Sequence, residues 1–389
     1  MEKRYNFRIY PNSEQERRIQ KNFGCVRWVY NHFLDLSAER YKSGEKHQGY
    51  FENCLGLTKL KRQEEYKWLC EADASSLQYA LKNLDTAYTE FFRRLRRGER
   101  AAGFPRFKSK KEARQSYKST YAKSIVLGGN FIKLPKLGHV GCRVSKQLEG
   151  RVISANVSQA PSGKYYVSLC VTDYKPAPLP KTGKAAGLHL GVATLVSSSD
   201  GEKTINPKFM EKSEQKIAKL RRGLSRKTSG SANYEKARLK LARACESAKN
   251  RKSDYLHKLT TQLVRDYDII YVTNRDFTES IRNKKFSKPI AGAGWGELRK
   301  QLEYKCGWYG KELVTVDYMF PSVQLCSVCG HIDPEIGGKR HLLKWDCAKC
   351  GANHDRAINA ASNILNEGRR YGRAGRSQYS MSAEAVKQG

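Results

Sequence analysis

No run of apolar residues in this 389-residue chain approaches the roughly 20 that a bilayer-spanning helix needs. Its first residues, Met1-Glu-Lys-Arg-Tyr5, lack the apolar core of a signal peptide. No internal repeat and no amphipathic lipid-binding helix stands out, which argues against solenoids and membrane-surface binders. Negative charge is scarce as well: 38 Asp and Glu stand against 73 Lys and Arg, giving a formal charge of +35. A surplus of that size, spread along most of the chain, favours a polyanionic partner, because each phosphate contact releases condensed counterions. The plainer alternative is a basic protein that is merely soluble. Seven of the 11 cysteines (Cys25, Cys54, Cys70, Cys142, Cys170, Cys245 and Cys306) are scattered without pattern. That is the usage of reduced, mostly buried thiols in a cytosol, so a cytoplasmic protein is expected.

What is present sorts into blocks. Tyr5-Asn-Phe-Arg-Ile-Tyr10 alternates like a strand and stops at Pro11. Ser13 with Glu16 forms a capping-box signature for a long helix. Leu77, Leu81, Leu84, Tyr88 and Phe91 repeat at helical spacing, so 12–102 reads as a helical domain. After Gly103 the pattern changes to strands, with Arg151–Ala160 and Lys164–Asp173 joined by a turn at Pro161-Ser-Gly163. Residues 103–180, with 1–11, are expected to build a small β-barrel into which the helices are inserted. Pro176, Pro178 and Pro180 form a stiff linker. Beyond it come a hairpin whose first strand lies within Ala185–Ser198, turning at Asp200-Gly201, and basic helices over 209–228 and 233–266. A strand at Asp268–Thr273, a helix at Trp295–Tyr309 and a strand at Glu312–Val316 follow, as in a mixed α/β layer domain. The tail, 369–389, is polar and expected to be disordered.

Cys326-Ser-Val-Cys329 and Cys347-Ala-Lys-Cys350 make two Cys-x-x-Cys knuckles, each followed by glycine. The duplicated spacing suits four thiolates around one tetrahedral Zn²⁺ with no open position, a structural site over 321–351. A redox pair is the competing reading of either knuckle alone.

Several strings together resemble one family. They include Gly103-Phe-Pro-Arg-Phe-Lys108, Leu134-Pro-Lys-Leu-Gly138, Gly294-Trp-Gly-Glu-Leu298, Pro321-Ser322 and the knuckles. Three more are Gly187-Leu-His-Leu-Gly-Val192, Ile269-Ile-Tyr-Val-Thr-Asn274 and His354-Asp-Arg-Ala-Ile-Asn-Ala-Ala361. From about Tyr5 to Leu365 the chain is similar to TnpB proteins, transposon-encoded RNA-guided relatives of type V CRISPR effectors. The resemblance implies a multidomain α+β architecture: a β-barrel wedge domain, a helical recognition domain, an RNase H-like (RuvC) domain over 181–320 and 352–368, and a zinc-ribbon insert. It also implies a guide RNA and double-stranded target DNA beside a short motif, held by what is expected to be a monomeric ribonucleoprotein. In that family the last three strings carry Asp, Glu and Asp, which hold two Mg²⁺ ions. Here the matching positions are His189, Thr273 and Ala357. An imidazole is a poor Mg²⁺ ligand, a hydroxyl is uncharged and a methyl offers nothing. One structural Zn²⁺ and no catalytic Mg²⁺ are therefore expected. Asp355 lies two residues before Ala357 and, if the helix has already started there, is rotated away from the site; Asp276 lies three residues past Thr273 and, in a strand, faces the opposite side.

The chain looks like the nuclease-dead members called TldR proteins, which use guide RNA to occupy promoters. Its rivals are an active nuclease with displaced acids, and a guide-independent DNA-binding accessory of transposition. By resemblance, Gln78 with Ser75 and Ser76 would read the adjacent motif. Arg106, Lys108, Lys110, Lys111 and Arg114, interleaved with Phe104, Phe107 and Tyr117, suit phosphate neutralisation plus base stacking. Lys219, Arg221, Arg222 and Arg226 would meet the nucleic-acid backbone. A solvated helix face is the alternative for each of them.

Overall fold

The computed structural model describes residues 1–98, 103–110, 115–192, 194–274, 292–338 and 342–374. The chain forms two compact units, Met1–Lys175 with Ser229–Arg243, and Pro176–Thr228 with the remainder from Ala244. The first boundary falls at the start of the alternating prolines.

In the first unit, β1 (Lys3–Tyr10) buries Tyr5, Phe7 and Ile9 and exposes the residues between them. The helix α1 (Ser13–Lys42) begins one residue earlier than Ser13 and Glu16 suggest. Asn12 Oδ1 accepts from the Gln15 amide at 2.8 Å, and Gln15 Oε1 accepts from the Asn12 amide at 3.1 Å. Asn caps a helix at least as well as Ser, and Gln closes the box as Glu would. Helix α2 (Tyr50–Leu60), a 3-10 turn at Glu64–Glu71 and α3 (Ala74–Arg96) complete the helical part.

Six further strands follow: β2 (Gln115–Ser119), β3 (Val126–Leu127), β4 (Phe131–Leu134), β5 (Gly138–Arg143), β6 (Arg151–Gln159) and β7 (Tyr165–Thr172). They join β1 in an antiparallel sheet of order β2-β6-β7-β1-β5-β4-β3. Among the described residues its edge strands β2 and β3 do not pair with each other, so the expected barrel is an open sheet in its hydrogen bonding. Helices and sheet share one core, in which Phe33, Leu77, Leu81 and Leu84 of the helices pack with Ile132, Val157 and Leu169 of the strands.

The second unit holds the sheet β10-β9-β8-β11-β12. The single strand expected early in 185–198 is two strands, β8 (Ala185–Leu190) and β9 (Thr194–Ser198), because the chain reverses at Gly191; β10 (Lys203–Ile205) then returns after Gly201. The strands β11 (Ile269–Thr273) and β12 (Glu312–Val316) add in parallel to β8. In sequence α4 (Phe209–Ser225) and α5 (Ala232–Asp266) lie between β10 and β11, and α6 (Trp295–Tyr309) between β11 and β12; Gly310, with φ 67°, ends α6. One face of the sheet, with Leu188, Ile270 and Val272, packs with Leu256 and Val264 of α5 and Leu298 and Leu302 of α6. After the short helix α7 (Pro334–Gly338) come β13 (Lys344–Asp346), β14 (Asn353–Asp355) and α8 (Arg356–Ala374). Helix α8 runs into the stretch expected to be tail, because buried Gly368 holds it against the ring of Tyr271.

Candidate functional site

Helix α8 covers the second face of that sheet. A Cβ at Gly187 would lie 2.1 Å from the Ala361 carbonyl oxygen and 2.5 Å from the Leu365 nitrogen, so the helix backbone crosses β8 in direct contact. Side chains two apart on a strand share a face. His189 therefore points to the α8 side with position 187, and Thr273 does so with Tyr271, whose ring meets Gly368. The register pairs Val272 with Leu188, which puts Thr273 beside His189. His189 pairs with Ser197 of β9, and Ser197 with Lys203 of β10.

The start of α8 lies over this cross-strand row. Asp355 is its N-cap: Oδ1 accepts from the amides of Ala357 at 3.1 Å and Ile358 at 3.2 Å, while Oδ2 lies 2.5 Å from Lys203 Nζ. Ala357 sits in the first helical turn, one turn before Ala361. Positions 189, 273 and 357, from three separate segments, thus meet at one end of one sheet face. Asp355 is not turned away as helical periodicity suggests, because the helix begins only at Arg356. Burial, the largest influence on its carboxyl, pushes its pKa up; the Lys203 hydrogen bond and the helix-start amides outweigh this and hold it below the usual range. Ser197 is wholly buried, and its hydroxyl finds no hydrogen-bond partner.

The four knuckle cysteines lie alongside. Their sulfur atoms are all within 4.8 Å of one another, with Cys326–Cys350 at 3.7 Å and Cys329–Cys347 at 3.6 Å. A tetrahedron with Zn–S bonds of about 2.3 Å has edges of about 3.8 Å, so the donor set fits that ion. Among the described residues it is the one group of three or more His, Cys, Asp or Glu able to share a metal. The amide of Cys350, then that of Lys349, lowers the Cys347 thiol, while at Cys350 the lowering amide of Ala352 is outweighed by hydrogen bonding to the neighbouring sulfurs of Cys329, Cys347 and Cys326, which raises that thiol, as expected where crowded thiols share protons that a metal would displace. Buried His354 puts Nε2 3.0 Å from Cys326 Sγ, where a ring N–H would hydrogen-bond the sulfur and fix its orientation. Asn359 and Asn363 of α8 donate to the Leu325 carbonyl at 2.7 and 2.6 Å, and the Ser327 amide donates to Asn359 at 2.9 Å. The cysteine module and the first two turns of α8 are one hydrogen-bonded piece.

In the first unit several candidate nucleic-acid contacts change role. Ser76 is buried, with its hydroxyl 2.7 Å from the Asp73 carbonyl. Ser75 bonds both Asp73 carboxylate oxygens at 3.0 Å, so both serines fix the start of α3. Gln78 is exposed one turn later. Tyr117 is a core residue against Phe23, placed inward by the alternation of β2, and has no face to stack a base on. Phe104 is half-buried among Tyr88 and Phe91, whereas Phe107 is 58% exposed. Lys108 lies 3.9 Å over the Tyr30 ring, and its backbone exchanges hydrogen bonds with Asn31. Arg106 and Lys110 are exposed, while Lys111, Arg114 and Asp276 lie outside the described residues. In the second unit Lys219, Arg221 and Arg222 are exposed on α4, as is Arg226 at its C-cap.

Residues 168–276 match the family model OrfB_IS605, described as "Probable transposase". An RNA-guided DNA endonuclease, as it is named, of Streptomyces pristinaespiralis is 37% identical over 366 residues, 94% of this chain and 89% of that protein. This chain belongs to the TnpB-like transposase family. InsQ of Escherichia coli K12, named in the same way, is 31% identical over 94% of this chain and 92% of its own. Residues 295–364 match the "Cas12f1-like, TNB domain" model. Residues 1–46 match one described as "Helix-turn-helix domain", yet in this TnpB-like chain they form one strand and one long helix. The fold is similar, at TM-score 0.51 and 13% identity, to Cas12f1 solved by cryo-EM with single-guide RNA and target DNA. The match covers 94% of this chain and 99% of that one.

Sequence reasoning missed a polar groove of about 270 Å³ in the first unit of this family member, lined by Arg4, Tyr79, Asn83, Lys118, Asn156 and Ser168 among others. Lys118 Nζ lies 4.4 Å over the Tyr79 ring. The available signal was Ser154, Asn156 and Ser158 at every second position of β6, a polar face where a buried sheet would carry aliphatics.

Proposed function

We propose that this protein is a nuclease-inactive, RNA-guided DNA-binding protein that represses transcription by occupying promoter DNA. The first unit would supply the wedge and recognition functions, and the second the RuvC-like scaffold with its zinc insert. In support, the β10-β9-β8 antiparallel, β11-β12 parallel order is that of an RNase H-type sheet. The observation that carries the reading is the meeting of positions 189, 273 and 357 on one face, where the side chains are imidazole, hydroxyl and methyl. Two-metal phosphodiester hydrolysis relies on hard anionic oxygens to hold both ions. The residues here do not fit paired Mg²⁺.

Binding needs none of those acids. Base pairing with the guide would supply sequence specificity, while the protein grips backbones through its surplus of +35 and reads a short adjacent motif. The polar groove of the first unit, with exposed Gln78 one turn into α3, is the surface offered to that motif; a Gln amide can read adenine by two hydrogen bonds. Bound without cutting, such a particle blocks polymerase.

One observation favours a second reading, an active nuclease with a displaced acid: Asp355 stands over the His189 row. It is a single carboxylate already holding two amides and an ammonium. The test is to sequence the RNA that copurifies and map the DNA it directs the protein to in cells. The proposal expects one RNA species with a variable end matching a promoter, and a reporter from that promoter silenced intact. Heterogeneous cellular RNA, or breaks at the mapped site, would overturn it.

A further inference from the structure

We infer that Lys203 is the resident countercharge of the vacated cleft, so that metal is kept out by a cation as well as by missing ligands. The inference rests on the nuclease-inactive reading above. Lys203 ends the cross-strand row His189–Ser197–Lys203, on the face that α8 covers. Its ammonium is 2.5 Å from Asp355 Oδ2, and the two side chains are 36% and 24% exposed. The other oxygen of Asp355 holds the amide of Ala357, the position where the family resemblance expects a metal ligand. At this helix start, then, one carboxylate is balanced by one ammonium. A dication sharing Asp355 would have to displace Lys203 or sit within a few ångströms of its charge, in a partly buried site where screening is weak.

The consequence is that the lost acids cannot simply be put back. An aspartate at 357 would lie beside the amide that Asp355 already binds, within reach of the same ammonium. It would draw Lys203 inward before it drew a metal. Removing the positive charge is the fourth change that a working metal site needs.

The experiment compares four variants of the full chain, purified with its RNA, by titrating Mn²⁺ and following the loss of its free EPR signal. The starting variant carries His189→Asp, Thr273→Glu and Ala357→Asp. The other three add Lys203→Met, Lys203→Gln or Lys203→Arg. The two neutral replacements are expected to bind Mn²⁺ roughly tenfold or more tighter than the triple variant, and the arginine replacement to match the triple. Glutamine keeps a hydrogen bond to Asp355 and methionine does not, so a loss confined to methionine exposes disturbance of α8 and leaves glutamine to decide. Equal affinity in the triple and glutamine variants would overturn the inference, as would an equal gain with arginine. Paired Mn²⁺ in the unaltered chain would instead overturn the nuclease-inactive reading, a separate outcome of the same titration.

Discussion

The cysteine module and the cleft share one helix, α8, yet the module brings four sulfur donors together around one point while positions 189, 273 and 357 of the cleft carry no carboxylate. The difference follows from what each set of side chains does for folding. Four thiolates on one Zn²⁺ would contribute free energy to a small module whose own core, among the described residues, is little more than Ile336 and Trp345 beside the cysteines. Losing a ligand there loses the fold. Three carboxylates crowded at one end of a sheet repel one another without their ions and contribute nothing to packing. Under the nuclease-inactive reading proposed above, their replacement would cost activity alone and would remove that repulsion. Asp268, just before β11, makes the contrast sharper. It is an acid at the opposite end of the same sheet, it pairs with Lys311, whose side chain is fully buried, and it is present.

Replacing Cys347 with Ser, or stripping the metal with a chelator, should have the largest effect, since structural zinc is worth on the order of 10 kcal/mol or more in small modules. Zinc content should fall. Amide exchange should rise through 322–364, reaching the start of α8 through His354, Asn359 and Asn363. Exchange confined to the knuckles would break the link drawn between module and cleft.

Next comes Gly187→Ala, which forces a methyl against the α8 backbone. Overpacking of this kind costs about 1–3 kcal/mol or more, because backbone cannot step aside as a side chain can. Thermal unfolding should show it, and an unchanged midpoint would mean that α8 does not seat on β8 as described.

Acid should separate Asp268 from the cleft. The Lys311 hydrogen bond, opposed by burial and aided by the amides of Thr182 and Gly183, holds its carboxyl well below the usual range. A depressed folded-state value stabilises above the unfolded carboxylate value of about 4 and is lost as pH falls from there through the folded value. The melting temperature of Asp268→Asn should therefore begin to approach that of the unaltered chain as pH falls below about 4, and the gap should keep narrowing through the most acid range that can be measured. Parallel curves would remove Asp268 from the account. Smallest of all is His189→Ala, expected within about 0.5 kcal/mol of the unaltered chain in stability and unchanged in DNA binding. A large loss of DNA affinity would show that the imidazole works in the cleft rather than merely occupying it.

Much of this was legible from residue order. Alternation marked β1, β6 and β7; helical spacing marked α3 and α6; repeated Cys-x-x-Cys marked the metal module. Parallel pairing of β8 with β11 brings His189 and Thr273 together, and that register depends on contacts no local pattern carries. Ser76 and Tyr117 looked available because serine and tyrosine are ambiguous in sequence, and only the packing of α1, α3 and β2 decides that they face inward. For Asp355 the deciding fact was where the helix starts: at Arg356, which makes Asp355 its cap and leaves the helical rotation inapplicable. The polar groove needed both a sheet face and a helix before its residues met.

A protein that grips its programmed DNA without cutting it can be caught in one assay: the purified ribonucleoprotein is incubated, in Mg²⁺ and separately in Mn²⁺, with a supercoiled plasmid carrying the match to its own RNA and the adjacent motif. The plasmid should be retarded and then recovered supercoiled once protein is removed. Linear product at the matched site would mean that the cleft still cuts.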